Sequence, residues 1–532
     1  MKTLLSSGLI GCLSLSLFAC GSGDDENDAL AARDPGAATP SGSGVDTIDD
    51  GADVAEDGSD VPADETPDAP LDTTPADPEI PVTPTLEVTD LDWRSCGQFQ
   101  DRNLECAEVI VPIDYERPDG EKLPIALRRI LASPLEAYKG ALLINPGGPG
   151  GPGIDFALSQ FQAGLFDAIA PGYDIIGFDP RGVGQSGERG CGILPEELYP
   201  SISDGPEVSS LVENQLALVR ERGDQCAQAW GTLFHHLGSK NVVRDMDEIR
   251  KALKQPTLNY YGASYGTRLG ALYAHMFPAT TGRLVLDAAM LPRSTMVENI
   301  RGQFYEVVRL HEVIFTFCEA NPEVCPADSR ALFDQMLENA RAGGFEGLFQ
   351  GLWRSMLSYP SGPDGIIFAL NNEAADPGGD WFEAFVFGNL GNDGGSGRVA
   401  LTTVMCIDDP LEPPTVAEVE SLYAEFYAVS PLYANEALPV INCAGWPTTR
   451  DPIPLPTATG VSQPLLVIGG TADALTPYTW APVLTEALGK ATLLTSNHFG
   501  HGAVDLVNEC VVANVRAYLT SGSMPAAGTV CE

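Results

Sequence analysis

The sequence predicts an α/β fold: a mostly parallel, doubly wound sheet interrupted by an inserted, mainly helical cap. Three observations carry that expectation. Short apolar runs alternate with segments of helical periodicity, the pattern of parallel strands joined by crossover helices. At one junction the run Leu258-Asn259-Tyr260-Tyr261 passes through Gly262-Ala263-Ser264-Tyr265-Gly266 into a helical stretch from Thr267 to Phe277, which puts a serine on a tight strand-to-helix turn. The alternation then stops between residues 291 and 455, where helical patches are separated by Pro- and Gly-rich loops, and it resumes at Gln463.

Residues 1–20 read as a targeting leader. Lys2 supplies a positive start, and the apolar stretch from Leu4 to Phe18 is too short for a membrane-spanning stop-transfer helix. Its end, Leu17-Phe18-Ala19-Cys20, resembles a bacterial lipobox, in which the cysteine is lipidated and becomes the new N-terminus. That implies a membrane anchor on Cys20. Cleavage near Ala19 as an ordinary signal peptide is the other reading.

Residues 21–90 carry twenty acidic residues against one basic residue, Arg33, with almost no aromatics. Such a segment buries too little apolar surface to offset its ordering entropy, and it reads as a disordered tether. No acidic cluster in it, Asp24-Asp25-Glu26 included, has EF-hand spacing. The chain as a whole carries a net charge of −43, which argues against nucleic acid as a partner.

Ten of the twelve cysteines lie beyond the leader: Cys96, Cys106, Cys191, Cys226, Cys318, Cys325, Cys406, Cys443, Cys510 and Cys531. An even number in an exported chain suggests disulfides, and pairing of sequence neighbours is the simplest arrangement, although spacing does not decide connectivity. Zinc is disfavoured, since there is no Cys-x-x-Cys and no histidine at ligand spacing. No cofactor is expected: the glycine-rich stretch lacks Rossmann spacing and a P-loop lysine.

The first part of the core, residues 91–290, opens with expected strands at Glu108 to Ile113 and Leu123 to Leu131. Gly140 to Ile144 is a short buried strand that runs into Asn145-Pro146-Gly147-Gly148-Pro149-Gly150-Gly151-Pro152-Gly153. Tyr173 to Phe178 is the next, followed by helical periodicity at 207–229 and 241–253, the Tyr260 strand with its turn and helix, and Arg283 to Leu286. The cap, residues 291–455, shows helical patches at Met296 to Phe317, Ser329 to Arg341 and Thr415 to Ala428. The last part, residues 456–532, has strands at Gln463 to Gly469 and Ala491 to Thr495, with a helix near Tyr478 to Leu488 between them. Strand, Gly-x-Ser-x-Gly and helix in that order form the nucleophile elbow of an α/β-hydrolase, which also needs an oxyanion loop upstream and an acid and a histidine downstream. All three are present in that order.

Together, Asn-Pro-Gly-Gly-Pro-Gly at 145–150, Asp-Pro-Arg-Gly-Val-Gly-x-Ser at 179–186, Ala-Ser-Tyr-Gly-Thr at 263–267 and Val-Leu-Asp at 285–287 resemble the tripeptidyl-aminopeptidase branch of the prolyl-iminopeptidase family of serine peptidases. Cys-Ala-Gly-Trp-Pro at 443–447, Gly-Thr-x-Asp-x-x-Thr-Pro at 470–477, Gly-His-Gly at 500–502 and the Cys510–Cys531 end extend the resemblance over residues 92–532. It implies Ser264 as nucleophile, His501 as general base and Asp473 as the residue orienting the histidine.

The chemistry agrees, because a serine hydroxyl needs an imidazole to take its proton and the imidazole needs a carboxylate to fix its tautomer. His498 is the alternative base and Asp287 the alternative acid. The oxyanion needs two preset N–H donors. Tyr265 N–H is one, and Gly148, with Gly147 close behind, is the expected other. Arg181 reads as a structural hub rather than a participant.

The reaction class these residues support is acyl transfer through an acyl-enzyme. An aminopeptidase acting on oligopeptides with a free N-terminus would hold the ammonium on an acidic patch in the cap. A carboxylesterase or lipase would use the same triad, and a catalytically dead binding lipoprotein is the third reading.

Overall fold

The computed structural model describes residues 91–99, 102–133, 137–192, 209–358, 362–388 and 396–532. The leader, Cys20 and the acidic tether lie outside the described residues. Ten strands form one sheet: β1 (Arg94–Phe99), β2 (Arg102–Pro112), β3 (Lys122–Ile130), β4 (Gly140–Asn145), β5 (Tyr173–Phe178), β6 (Leu258–Ala263), β7 (Thr281–Asp287), β8 (Leu465–Ala472), β9 (Ala491–Phe499) and β10 (Val530–Cys531). Their spatial order is β1-β2-β3-β5-β4-β6-β7-β8-β9-β10. The β1–β2, β2–β3 and β3–β5 pairs are antiparallel, and every pair from β5–β4 to β9–β10 is parallel.

The central strands are covered on both faces, which is why they read as unbroken apolar runs. Every residue of β4 and β5 is buried. Alternate side chains serve two cores, as the pleat requires. Leu143, Ile176, Tyr260, Leu284, Leu286 and Val467 pack with helices Ser239–Ala252 and Tyr265–Met276 and with the insertion. Leu142, Ile144, Ile175, Tyr261, Val285 and Leu466 pack on the opposite face, with helices Gly153–Gln162, Leu165–Ile169 and Glu509–Ser521.

Between β7 and β8 the chain is helical: Met296–Ala320, Ser329–Ala342, Glu346–Met356, Gly362–Ala375, Asp380–Gly388, Ser396–Asp408 and Val416–Val429. Two of these begin with capping boxes, Thr295 with Glu298 and Thr415 with Glu418, each pair satisfying two otherwise orphaned backbone N–H groups. The rings of Phe304 and Phe426 stack at 3.8 Å across the first and last of them. Four of the helices, those between residues 346 and 408, have no counterpart in the expected helical patches. Their Gly- and Pro-rich junctions mask short apolar stretches, of which Glu346–Met356 and Asp380–Gly388 pack on each other through Phe345, Phe349 and Phe382.

All ten described cysteines pair with sequence neighbours: 96–106, 191–226, 318–325, 406–443 and 510–531. Arg181 is fully buried. It forms a bidentate pair with Asp245 and donates to the carbonyls of Pro112, Ile113 and His236, which ties the loop after β5 to β2 and to the turn before Ser239. Its donors are spent on the fold, as the sequence suggests. Among the described residues no helix is long and apolar enough to cross a membrane, and no cluster of His, Cys, Asp or Glu is placed to hold a metal ion.

Candidate active site

The order of strands reverses at β4: the chain leaves it for β5 on one side and continues to β6 on the other. In open parallel sheets, ligands bind beyond the carboxyl ends of the strands at such a switch. The register brings those ends level. Asn145 pairs with Gly262, Ala263 with Asp287, and Asp287 with Ile468. The glycine loop after β4, the elbow after β6, Asp473 after β8 and His501 after β9 therefore share one edge of the sheet.

Ser264 adopts φ 57° and ψ −126°, a conformation that costs an L-residue about 1–3 kcal/mol and that the surroundings must enforce. They do so through the backbone: Ser264 N–H donates to Asp287 O at 2.9 Å, and Ser264 O accepts from Thr267 N and Thr267 Oγ1. The flanking glycines are needed for space. A Cβ on Gly262 would lie 2.5 Å from Gly266 O, and one on Gly266 would lie 3.0 Å from both Asn145 O and Asn145 Oδ1.

His501 Nδ1 lies 3.0 Å and 2.9 Å from the two oxygens of Asp473, a residue with no solvent exposure. The remaining lone pairs of that carboxylate accept from Leu475 N, Thr476 N and Thr476 Oγ1, which fixes its plane. The proton on Nδ1 faces Asp473, so in the neutral ring Nε2 is the basic nitrogen. His501 N–H donates to Ser358 O at 2.8 Å, a direct contact between the histidine loop and the helical insertion. Burial disfavours the imidazolium, but the Asp473 carboxylate outweighs it and the His501 pKa stands above the ordinary value. Hydrolysis that needs neutral His501 should therefore fall as pH drops through a pKa above about 6.5. Removing the carboxylate with Asp473→Asn should shift that acid limb downward, which a kcat/KM profile between about pH 5 and 8 would read.

Asp287, the alternative acid, has other work. Its side chain is buried and accepts from Tyr261 Oη at 2.6 Å, Ala503 N at 2.9 Å and Val504 N at 3.2 Å, while its carbonyl holds Ser264. It braces the elbow and the histidine loop together, and burial raises its pKa against those hydrogen bonds. His498, the alternative base, sits on β9 with Nε2 buried and without a hydrogen-bond partner, and it is His501 that the Asp473 carboxylate holds.

On the oxyanion side, Gly147 packs so closely on the elbow that a Cβ there would lie 2.8 Å from Tyr265 N and 3.0 Å from Ser264 Cβ. Gly147 N–H donates to Asn145 Oδ1 at 2.9 Å, so its hydrogen is already engaged. Gly148 is the next donor along the same loop, with φ 102° and a cis bond to Pro149.

Sequence reasoning missed the role of Asn145, a polar residue closing an apolar parallel strand, whereas Asp287 has the loop hydrogen-bonding role weighed beside that of alternative acid. The buried contacts behind Tyr265, from Ser239 and Asp408, had no local signal because those two residues lie 169 positions apart.

Residues 140–319 match the family described as alpha/beta hydrolase fold, and residues 430–531 match the TAP-like protein family. The chain is 31% identical over 480 residues to a tripeptidyl aminopeptidase of Streptomyces coelicolor, covering 83% of this chain and 86% of the relative. It is 29% identical over 476 residues to serine protease Hip1 of Mycobacterium tuberculosis, covering 80% and 87%. Carboxylesterase B of the same organism is 28% identical over 483 residues, covering 82% and 89%. Similarity on this scale runs through core and insertion alike: the chain belongs to the tripeptidyl-aminopeptidase-like branch of the α/β-hydrolase serine peptidases.

Proposed function

We propose that this protein is an exported serine aminopeptidase that releases short peptides or residues from the free N-terminus of oligopeptides. The observation that carries the reading is the Asp473 carboxylate held on His501 Nδ1 at 2.9 Å, on the same sheet edge as a serine locked at φ 57°. In the mechanism, His501 Nε2 takes the Ser264 proton as Oγ attacks the scissile carbonyl. The oxyanion of the tetrahedral intermediate is met by the N–H groups of Tyr265 and Gly148. His501 then gives the proton to the leaving amine, and a water repeats the sequence to free the acyl group from Ser264.

The division of labour follows the chain: a core of residues 91–290 and 456–532 supplies the machinery, and the insertion of residues 291–455 caps it. Upstream, Cys20 carries the lipid and residues 21–90 act as the tether. Five disulfides among the described residues support a compartment outside the cytoplasm.

Similarity to a carboxylesterase favours one second reading, ester hydrolysis by the same triad. Paired peptide anilides, one with a free amino terminus and one N-acetylated, separate the two. An acidic patch that binds ammonium loses its charge-assisted hydrogen bonds on acetylation, so kcat/KM should fall roughly ten- to a hundredfold per bond. Equal rates for the pair would remove the aminopeptidase reading and leave an endopeptidase or esterase.

A further inference from the structure

Helix Ser396–Asp408 of the insertion touches both sides of the proposed oxyanion hole. At its start, the Gly397 carbonyl packs on Gly150 so closely that a Cβ on Gly150 would collide with it. Gly150 belongs to the loop that carries Gly148. At the other end of the helix, Asp408 Oδ1 accepts the Ser239 N–H at 2.9 Å and Asp408 Oδ2 accepts the Ser239 hydroxyl. Ser239 Oγ in turn lies 2.5 Å from the Tyr265 hydroxyl. All three residues are buried: Ser239 is 0% exposed, Asp408 2% and Tyr265 4%.

The helix is itself held at the Asp408 end. Cys406 is bonded to Cys443, and Trp446 Nε1 donates to Thr403 Oγ1 at 2.9 Å. Gly238 permits the approach, since a Cβ there would lie 2.5 Å from Ile407 Cγ2. Tyr265 is the first residue of its helix, so its N–H has no intrahelical acceptor. The 264–265 peptide is held on one side by Thr267, which donates to Ser264 O, and on the other by the ring hydroxyl on Ser239.

A carboxylate is a costly choice for packing alone. Burial pushes the Asp408 pKa up to about 6, partly offset by its bonds from Ser239 and by the Arg268 guanidinium, with Asp451 opposing. What a carboxylate supplies is direction. Being acceptor-only when ionised, it orients the Ser239 hydroxyl toward itself and leaves Ser239 Oγ as the acceptor for the Tyr265 hydroxyl.

We propose that Asp408 is a positioning residue of the oxyanion hole: through Ser239 it anchors the Tyr265 ring and so aims the Tyr265 N–H, while the far end of the same helix braces the glycine loop. The inference rests on the peptidase reading, in which Tyr265 and Gly148 are the oxyanion donors.

The test uses the full-length enzyme on a peptide anilide, with Asp408→Ala, Asp408→Asn, Tyr265→Phe, the Tyr265→Phe/Asp408→Ala double variant and Ser264→Ala, each with its thermal melt. Losing a donor outright costs about 10²–10³ in kcat, so misaiming one should cost about ten- to thirtyfold, with KM within about twofold. Tyr265→Phe removes only the hydroxyl and should show a similar loss. The double variant should be no slower than the slower single variant, because both changes break one chain of contacts. Asp408→Asn keeps an acceptor for Ser239 N–H but turns an N–H donor onto Ser239 Oγ, which reverses the direction of that hydroxyl. It should therefore lose kcat nearly as much as Asp408→Ala, and full kcat in Asp408→Asn overturns the role given to the carboxylate. Losses that multiply in the double variant overturn the proposal, as does a melting shift with kcat intact. If Asp408→Ala does not fold, Tyr265→Phe still decides: an unchanged kcat there overturns it. Activity that survives Ser264→Ala defeats the peptidase reading itself, whereas loss in Ser264→Ala with full kcat in Asp408→Ala defeats only the present inference.

Discussion

Ser264→Ala should lower kcat by about four to six orders of magnitude while the protein folds and melts as before. The contacts that hold residue 264 run through its backbone, from its N–H to Asp287 O and to its carbonyl from Thr267, and alanine keeps both. Alanine also retains the Cβ, so the left-handed backbone is no more strained than with serine. What disappears is the oxygen that forms the acyl-enzyme in the proposed mechanism. The measurement is turnover of a peptide anilide together with loss of labelling by a fluorophosphonate. Residual turnover above about one per cent, with the fold unchanged, would mean the nucleophile lies elsewhere.

His501→Ala should be nearly as damaging, since an unassisted hydroxyl keeps its proton at neutral pH. Its control is His498→Ala. The two histidines are three positions apart, yet only His501 faces Asp473, flanked by Gly500 at φ 103° and Gly502 at φ 93°, which turn it out of the strand. His498 remains within β9. Substituting His498 should leave kcat within a few-fold and register mainly in the melting temperature, as expected for a half-buried strand position. An active His501→Ala enzyme beside a silent His498→Ala enzyme would reverse the assignment.

The elements that were legible in the sequence are those whose local pattern and tertiary role coincide. β4, β5 and β8 are buried on both faces, so an apolar run announces them. The elbow is legible because its glycines answer a steric demand that any sequence with this turn must meet. β1 was missed because nearly all its residues are exposed and it is held by backbone pairing with β2 and the Cys96–Cys106 bond rather than by burial. Helix Gly153–Gln162 hides behind Pro152 and the glycines before it, which read as loop although proline is tolerated at the start of a helix. At the site, Ser264, Asp473 and His501 stand beside short motifs. Ser239 and Asp408 meet only after the insertion has folded back, and no spacing rule encodes that.

The strand order has a consequence for how the molecule is made. β4 and β6 form the middle of the sheet, but β8 and β9 can extend it only after the whole insertion has been synthesised, and β10 closes onto β9 with the last residues of the chain. Such pairings have high contact order and form late. In the proposed mechanism the nucleophile thus emerges from the ribosome long before its base, and a chain lacking its C-terminal portion presents a serine that cannot be activated. On that mechanism the strand order keeps an unfinished chain silent until its last strands are added.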